Sequence, residues 1–161
     1  TMPNESFEDA AIGRDREHLR NDRVRSQKQS WISGDSTANL NWLKWAGELQ
    51  GYLNKHLFLG LFSFESHYAH YRPSDFYKRH SDSFKEQSSR SLSIVVYLNR
   101  DWLPDDGGEL VLYKDDKDLV GLTVIPSFAT VVVFLSEEHP HEVLPAHRDR
   151  YSIAGWYSPN F

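Results

Sequence analysis

Apolar residues recur at three- and four-residue steps after residue 37 and predict one amphipathic helix. This spacing places side chains on a single helix face. The preceding cluster Gly34-Asp35-Ser36-Thr37 offers residues that commonly cap a first turn. We expect this helix to be core scaffolding, with its apolar stripe formed by Leu40, Leu43, Ala46, Leu49 and Leu53.

From about Leu57 onward the pattern changes to short apolar runs separated by turn residues. Hairpin turns are expected at Asp105-Asp106-Gly107-Gly108 and at Pro126-Ser127. A helix followed by about eight short strands predicts an α+β domain built on a barrel or jelly roll. The predicted strands are Phe62–Tyr71, Phe76–Asp82, Ser91–Asn99, Glu109–Tyr113, Leu122–Ile125, Ala129–Leu135, Glu142–Leu144 and Tyr151–Tyr157.

The segment Arg14–Gln29 is rich in charged residues of both signs and has few apolar ones. Such a composition is typical of a solvated, mobile loop. The functional alternative is a flexible lid or substrate clamp beside a pocket.

Length and composition fit one globular domain, residues 1–161, with a hydrophobic core of its own. The chain has no cysteine, which excludes disulfides and thiolate zinc sites. The formal net charge of −5 gives no support for nucleic-acid binding. Apolar stretches such as Ala129–Leu135 are too short to span a bilayer, and the N-terminus lacks the features of a signal peptide. We therefore expect a cytoplasmic protein with neither membrane nor nucleic-acid partners.

The triplet His80-Ser81-Asp82 is the first candidate for chemistry. On a strand, residues two apart point to the same face, so the imidazole and the carboxylate would project together. His141 on another strand offers a third ligand, although His139 lies close to it. Two histidines and one carboxylate form the facial triad of non-haem iron(II) oxygenases, which leaves three coordination positions open. Alone, a His-x-Asp triplet is weak evidence, because surface pairs of this kind are common.

Arg150, nine residues after His141, strengthens this interpretation. An arginine fork can bind a carboxylate of 2-oxoglutarate in a bidentate manner, which a lysine cannot do. Arg150 would share one strand face with Ser152, Ala154 and Trp156, and so could lie deeper in the same cavity.

Nearly the whole chain resembles the prolyl 4-hydroxylase family related to the oxygen-sensing prolyl hydroxylases, in particular its bacterial members. The segments that carry the resemblance are Phe7–Arg14, Tyr77–Asp82, Val96–Trp102, Gly107–Leu110, Pro140–Val143 and Arg150–Tyr157. The resemblance implies a double-stranded β-helix, a jelly-roll or cupin-like barrel with an N-terminal helical scaffold. It also implies hydroxylation of proline C4 in a protein substrate, with Fe(II), 2-oxoglutarate, O2 and ascorbate as a reductant. Succinate and CO2 would be released.

The same resemblance implies roles for individual residues. Iron would bind His80, Asp82 and His141, the last preferred over His139 because the family motif is Pro-His-Glu-Val. The residues expected to bind 2-oxoglutarate or line its pocket are Arg150, Tyr97, Tyr71, Val95, Leu110, Val143 and Trp156. Substrate contacts are expected from Arg90, Arg25 and Trp31; for both arginines the alternative is a solvated surface charge.

Two features depart from the family pattern. His67 replaces an apolar residue, and because it shares a face with Tyr71 we expect it near the cavity, beside the metal site rather than as a ligand. The helix that usually precedes the Phe7 strand is missing, so the N-terminus is expected to be truncated. The alternatives are an idle metal- or 2-oxoglutarate-binding module of the same fold and an oxygenase acting on a non-prolyl substrate. A nucleic-acid oxygenase is disfavoured, since Trp156 stands where such enzymes have a second arginine.

Overall fold

The computed structural model of this chain describes residues 8–9, 25–83 and 89–159. One long helix, α1 (Thr37–Leu57), follows two short strands, and eight further strands follow the helix. The strands are β1 (Glu8–Asp9), β2 (Lys28–Trp31), β3 (Ser63–Tyr71), β4 (Tyr77–His80), β5 (Leu92–Tyr97), β6 (Leu110–Leu112), β7 (Leu122–Val124), β8 (Val131–Leu135), β9 (His141–Val143) and β10 (Arg150–Ser158).

Helix α1 begins where the capping residues predicted it. The Ser36 side chain accepts a hydrogen bond from the Asn39 backbone N–H at 3.1 Å, which satisfies one of the free donors of the first turn. The helix ends at Leu57 and is capped by Phe58, whose φ of 53° is left-handed and whose N–H donates to Asn54 O. The predicted stripe is only partly correct, because Leu40 is 55% exposed.

The packed part of α1 lies against one face of the larger sheet. Leu49 and Leu53 contact a buried cluster drawn from two central strands and the segment after the helix. That cluster consists of Leu61, Leu92, Ile94 and Tyr157. Burial of these side chains, at about 1.5–3 kcal/mol each, fixes the helix on the sheet and makes it the scaffold that the sequence predicted.

The strands form two antiparallel sheets, one of six strands in the order β1-β2-β3-β10-β5-β8 and one of four in the order β4-β9-β6-β7. A core cluster joins the two sheets: Ala69, Tyr71 and Tyr97 come from the larger sheet, and Leu110 and Val143 from the smaller. The functional side chains therefore lie between two sheets that face each other. This arrangement confirms the predicted α+β class and its double-stranded β-helix.

Strand β10 sets the register of this wall of the site, because it pairs with β3 along its whole length and with β5 from Ser152 to Tyr157. Residues directly opposite each other on paired strands face the same side of a sheet. The rows that share the face of Arg150 are Arg150 with Tyr71, Ser152 with Ala69 and Tyr97, Ala154 with His67 and Val95, and Trp156 with Glu65 and Ser93.

Part of the predicted mobile loop belongs to the larger sheet. Lys28 and Gln29 are in β2, where they pair with His70 and Ala69 of β3, and Arg25 forms a bridge with Tyr77. These nonlocal backbone hydrogen bonds order a polar segment whose composition alone favoured a loop. The rest of that prediction, residues 14–24, lies outside the described residues.

Within the described ranges, no helix is both long enough and apolar enough to serve as a membrane span.

Candidate active site

The three predicted metal ligands lie together between the sheets. Their ligand atoms, one each from His80, Asp82 and His141, are all within 4.8 Å of one another. His80 Nε2 lies 3.5 Å from Asp82 Oδ1, and His141 Nε2 lies 3.4 Å from the same oxygen. Two imidazoles and one carboxylate in this arrangement form the donor set of a facial triad.

The backbone brings these side chains together from adjacent strands. His80 closes β4 and pairs directly with His141, the first residue of β9. Asp82 lies in a bend two residues beyond β4 rather than on the strand, so the reason given for its direction was wrong. The bend nevertheless turns its carboxylate toward both imidazoles.

Backbone carbonyls orient both imidazole rings. His80 Nδ1 lies 2.8 Å from Lys78 O, and His141 Nδ1 lies 3.1 Å from His139 O. Since a carbonyl only accepts, Nδ1 carries the proton in each ring and Nε2 presents its lone pair toward Asp82. Hydrogen bonds of this kind fix the tautomer that a metal needs.

The charge balance of the cluster suits a divalent cation. Burial raises the pKa of Asp82, but the neighbouring His141 and His80 outweigh that effect and hold this pKa well below its usual range. Burial also lowers the pKa of His80. Burial acts the same way on His141, but the neighbouring Asp82 outweighs it and raises the pKa of that imidazole. The cluster thus holds an anionic carboxylate that favours a positive charge between the rings, and a bound cation would take the place of the proton.

Two aromatic neighbours support the histidines. The Tyr77 ring stacks on His80 with centroids 3.5 Å apart and an interplanar angle of 12°, and Phe134 packs edge-on against His141 at 4.8 Å. Sequence reasoning missed both contacts. Tyr77 and His80 are three positions apart, so on a regular strand their side chains would point to opposite faces. The pairing of β4 with β9 shifts register between these two residues, and the sequence gives no sign of that shift.

Arg150 lies in the interior, as predicted, with 1% of its surface exposed. Its Nε donates to Gly108 O at 2.7 Å, and its guanidinium carbon lies 4.9 and 5.0 Å from the ring centroids of Tyr71 and Tyr97. No carboxylate in the part of the chain that the structure describes forms an ion pair with it. A buried cation without a partner costs free energy unless an anion binds it.

Gly108 makes room for this arginine. Its φ is +70°, which disfavours other residues, and a Cβ there would lie 3.1 Å from Arg150 Cδ and 2.9 Å from Ala146 Cβ. Sequence reasoning assigned Gly108 only to a turn. Its role at the guanidinium could not be read locally, because the two residues are 42 positions apart.

The predicted tyrosines line the same cavity. Tyr97 is fully buried and Tyr71 is 5% exposed. Burial raises the pKa of both phenols, and the charge of Arg150 opposes this rise. The Tyr97 hydroxyl has no hydrogen-bond partner among the described residues. A buried donor left in this state is costly, which suits a hydroxyl that receives a ligand.

The remaining predicted pocket residues occupy the walls of the cavity. Leu110 and Val143 are buried and come from the smaller sheet, while Val95 packs on the same cluster. Trp156 is 8% exposed, and its indole Nε1 is buried without a hydrogen-bond partner among the described residues. On the face of β10 that carries Arg150 and Trp156, the two residues between them are the small Ser152 and Ala154.

Of the three predicted substrate residues, Trp31 lies in β2 and Arg25 just before it, whereas Arg90 lies just before β5. Arg25 donates to the Tyr77 hydroxyl at 3.1 Å, next to His80. Arg90 forms an ion pair with Glu65 at 2.8 Å and stacks over Trp156 at 3.9 Å. The Trp31 side chain is 47% exposed. Both arginines are thus partly buried and held by contacts within the protein, and their role toward a substrate stays a prediction.

Neither of the other two histidines near the site joins the ligand cluster. His67 is buried between Trp31 and Trp156, with ring centroids 5.1 and 5.3 Å away, and burial lowers its pKa to about 4. His139 turns its Nδ1 to Tyr113 O at 3.1 Å. Among the described residues, the only metal-ligating cluster is that of His80, Asp82 and His141.

The residues present fit an iron(II) ion and 2-oxoglutarate. The donor set matches the facial triad of iron oxygenases. Among the described residues Arg150 has no ion-pair partner and the Tyr97 hydroxyl no hydrogen-bond partner, so the two supply a positive charge and a hydrogen-bond donor for a carboxylate.

Comparison with known proteins agrees with this chemistry. Residues 66–158 match the model of the 2OG-Fe(II) oxygenase superfamily. The crystal structure of a Pseudomonas putida prolyl-4-hydroxylase is 39% identical, with a TM-score of 0.86, over 98% of this chain and 79% of that one. A Trichoplax adhaerens prolyl hydroxylase, solved with a peptide fragment of the hypoxia inducible factor oxygen degradation domain, is 28% identical, with a TM-score of 0.81, over 96% of this chain and 71% of that one.

Curated relatives point the same way over a shorter stretch. Egl nine homolog 1 of Homo sapiens is 35% identical over 83 residues, which make up 50% of this chain and 19% of the human protein. The matched stretch covers 24% of the rat protein. The chain thus spans a quarter or less of these relatives. Together with the geometry of the site, these matches show that the chain belongs to the 2OG-Fe(II) oxygenase superfamily, within its prolyl 4-hydroxylase family.

Proposed function

We propose that this chain is an Fe(II)- and 2-oxoglutarate-dependent dioxygenase that hydroxylates C4 of a prolyl residue in a protein substrate, releasing succinate and CO2. The observation that carries the proposal is a His-Asp-His cluster in the same barrel as a buried arginine that pairs with no carboxylate among the described residues. Similarity to the Pseudomonas putida prolyl-4-hydroxylase supports the choice of a prolyl substrate.

His80, Asp82 and His141 would hold the iron from one side. When bound, the ion supplies the oxygen chemistry of the reaction. The protein's own contribution is positional. The carbonyls of Lys78 and His139 keep both Nε2 atoms directed at the metal position.

Arg150 would bind the remote carboxylate of 2-oxoglutarate through its guanidinium fork, with Tyr97 donating a further hydrogen bond. Tyr71 packs on the other side of the guanidinium. Apolar walls from Val95, Leu110 and Val143 exclude water, and this strengthens a charge-assisted hydrogen bond.

The substrate would approach from the β2 side, past Arg25, Trp31 and Arg90. This assignment is supported by the half-exposed Trp31 and by the closeness of Arg25 to Tyr77, which stacks on His80. The Trichoplax adhaerens relative was solved with a peptide fragment, which supports a peptide or protein substrate here.

We also propose that residues 1–161 form one catalytic domain and that the protein works in the cytoplasm, where a reducing environment keeps iron ferrous.

The test is oxidation of a proline. Mass spectrometry of host proteins would compare the wild-type strain with one lacking this chain, and a candidate peptide would then be incubated with purified protein, Fe(II), 2-oxoglutarate and O2. The expected result is an added oxygen atom on proline with equimolar succinate. His80→Ala should abolish both, whereas His56→Ala, an exposed histidine of α1, should not.

Binding of iron and 2-oxoglutarate without turnover on any peptide would contradict the proposed activity and would favour an idle binding module. Oxidation at a residue other than proline would keep the enzyme class and refute the prolyl substrate.

A further inference from the structure

The two oxygens of Asp82 have different surroundings. Oδ1 faces both metal-ligating histidines, 3.5 Å from His80 Nε2 and 3.4 Å from His141 Nε2. Oδ2 accepts a hydrogen bond of 2.7 Å from Ser93 Oγ. One oxygen is thus directed to the metal position and the other is held by a neutral hydroxyl.

A second serine orients the first. Ser93 Oγ and Ser136 Oγ are 2.9 Å apart, and the two residues are 1% and 0% exposed. An ionised carboxylate only accepts hydrogen bonds, so the Ser93 proton is committed to Asp82. In the serine pair Ser136 is therefore the donor, and the chain of hydrogen bonds runs from Ser136 to Ser93 to Asp82.

The serines are fixed by the sheet, whereas Asp82 is not. Ser93 lies in β5 and is paired on both sides, with Trp156 of β10 and Phe134 of β8. Ser136 directly follows β8, and its backbone N–H donates to Ser91 O at 3.1 Å. Asp82 lies in a bend outside any strand. Its carboxylate therefore depends on side-chain contacts for its orientation.

We propose that Ser93, supported by Ser136, is a positioning residue that keeps Asp82 a one-oxygen ligand. A carboxylate can bind a metal through one oxygen or two. If Oδ2 also bound, it would occupy a coordination position that the facial triad leaves open. The hydrogen bond from Ser93 holds Oδ2 away from the metal and keeps that position free. The consequence for catalysis rests on the proposed function; the effect on the metal site does not.

The test uses the purified full chain with Co(II), whose visible absorption depends on its coordination number. Ser93→Ala should bind Co(II) about 10- to 100-fold more weakly, the usual effect of removing an outer hydrogen bond from a ligand. Its visible spectrum should also differ from that of the wild type, because Oδ2 would replace a solvent ligand and change the coordination geometry. Ser93→Thr keeps the hydroxyl and should restore both readouts.

Two further variants control for folding and for the loss of any buried hydroxyl. Ser136→Ala leaves the Ser93–Asp82 hydrogen bond in place, so its Co(II) affinity and spectrum should change in the same direction as those of Ser93→Ala but by less. Ser66→Ala removes a hydroxyl of β3 that is 2% exposed and bonded to Trp42 Nε1, and it should leave Co(II) affinity and spectrum unchanged.

Wild-type affinity and spectrum in folded Ser93→Ala would overturn the proposal. If that variant does not fold, wild-type readouts in Ser136→Ala would overturn it instead. Failure of the wild-type chain to bind Co(II) would refute the metal site itself. Normal Co(II) binding and the expected variant effects without proline oxidation would refute only the proposed function.

Discussion

Replacing Arg150 by methionine removes the guanidinium while keeping most of the apolar stem. In the free protein the change costs the hydrogen bond from the charged guanidinium to Gly108 O, worth roughly 1.5–3 kcal/mol. It also removes a buried cation that has no carboxylate partner among the described residues, and this offsets part of that loss. We therefore expect the variant to fold.

The effect on 2-oxoglutarate binding should be much larger. Arg150 is 1% exposed, so its pairing with a carboxylate would be almost fully desolvated. Removing one partner of such a pair costs about 2–5 kcal/mol, equivalent to about a 30-fold to several-thousand-fold rise in Kd. Arg150→Lys should bind 2-oxoglutarate with a Kd between those of Arg150→Met and the wild type, because lysine keeps the charge but cannot form two parallel hydrogen bonds to a carboxylate.

Isothermal titration of 2-oxoglutarate into Mn(II)-loaded protein measures this change directly. Arg148→Met is the matched control, since Arg148 lies two residues away with a side chain 40% exposed and pairs with Asp106 at the surface. It should bind 2-oxoglutarate like the wild type. A Kd for Arg150→Met within threefold of wild type would refute the assignment of Arg150.

Two further predictions concern stability. Folding lowers the pKa of His67 from 6.5 to about 4 because of burial, so the unfolded chain binds the proton more readily between these values and stability falls as pH drops through this window. Between pH 7 and pH 5 the free energy of unfolding of the wild type, measured with urea, should fall by about 2 kcal/mol more than that of His67→Leu. Equal decreases in the two proteins would contradict this prediction. Gly155→Ala places a Cβ 2.7 Å from Phe64 Cζ and should destabilise by about 1–3 kcal/mol. Gly47→Ala, on α1 with no atom within 4 Å of the added Cβ, should instead stabilise the protein by roughly 0.5–1 kcal/mol. Unchanged stability in Gly155→Ala would contradict the first of these two predictions and would show that the Phe64 ring moves aside.

Residue chemistry made the metal site predictable. Imidazoles and a carboxylate are the donors that a facial triad requires, and the short spacing of His80 and Asp82 keeps them together even though the strand ends between them. Arg150 was predictable for a similar reason, since it opens a strand whose alternation directs it into the barrel.

Contacts between distant parts of the chain were not predictable. Ser136 reaches Ser93 across 43 positions, and nothing in the local sequence of either serine indicates a hydrogen bond to a metal ligand. The order of Lys28 and Gln29 depends on pairing with β3. Leu40 fits the helical stripe and yet is 55% exposed, because burial depends on what packs against the helix and not on the stripe alone.

The continuous pairing of β10 with β3 fixes the positions of the residues on β10 relative to one another. Ser93, which holds the metal-binding carboxylate, pairs with Trp156 at one end of this strand, and Arg150 lies six residues earlier. Each residue lengthens a strand by about 3.3 Å. The guanidinium of Arg150 is held by its hydrogen bond to Gly108 O. Because β10 is held by its neighbouring strands, a shift in its register would move Arg150 relative to Tyr71 and would move Trp156 relative to Ser93, and so would disturb both parts of the site together.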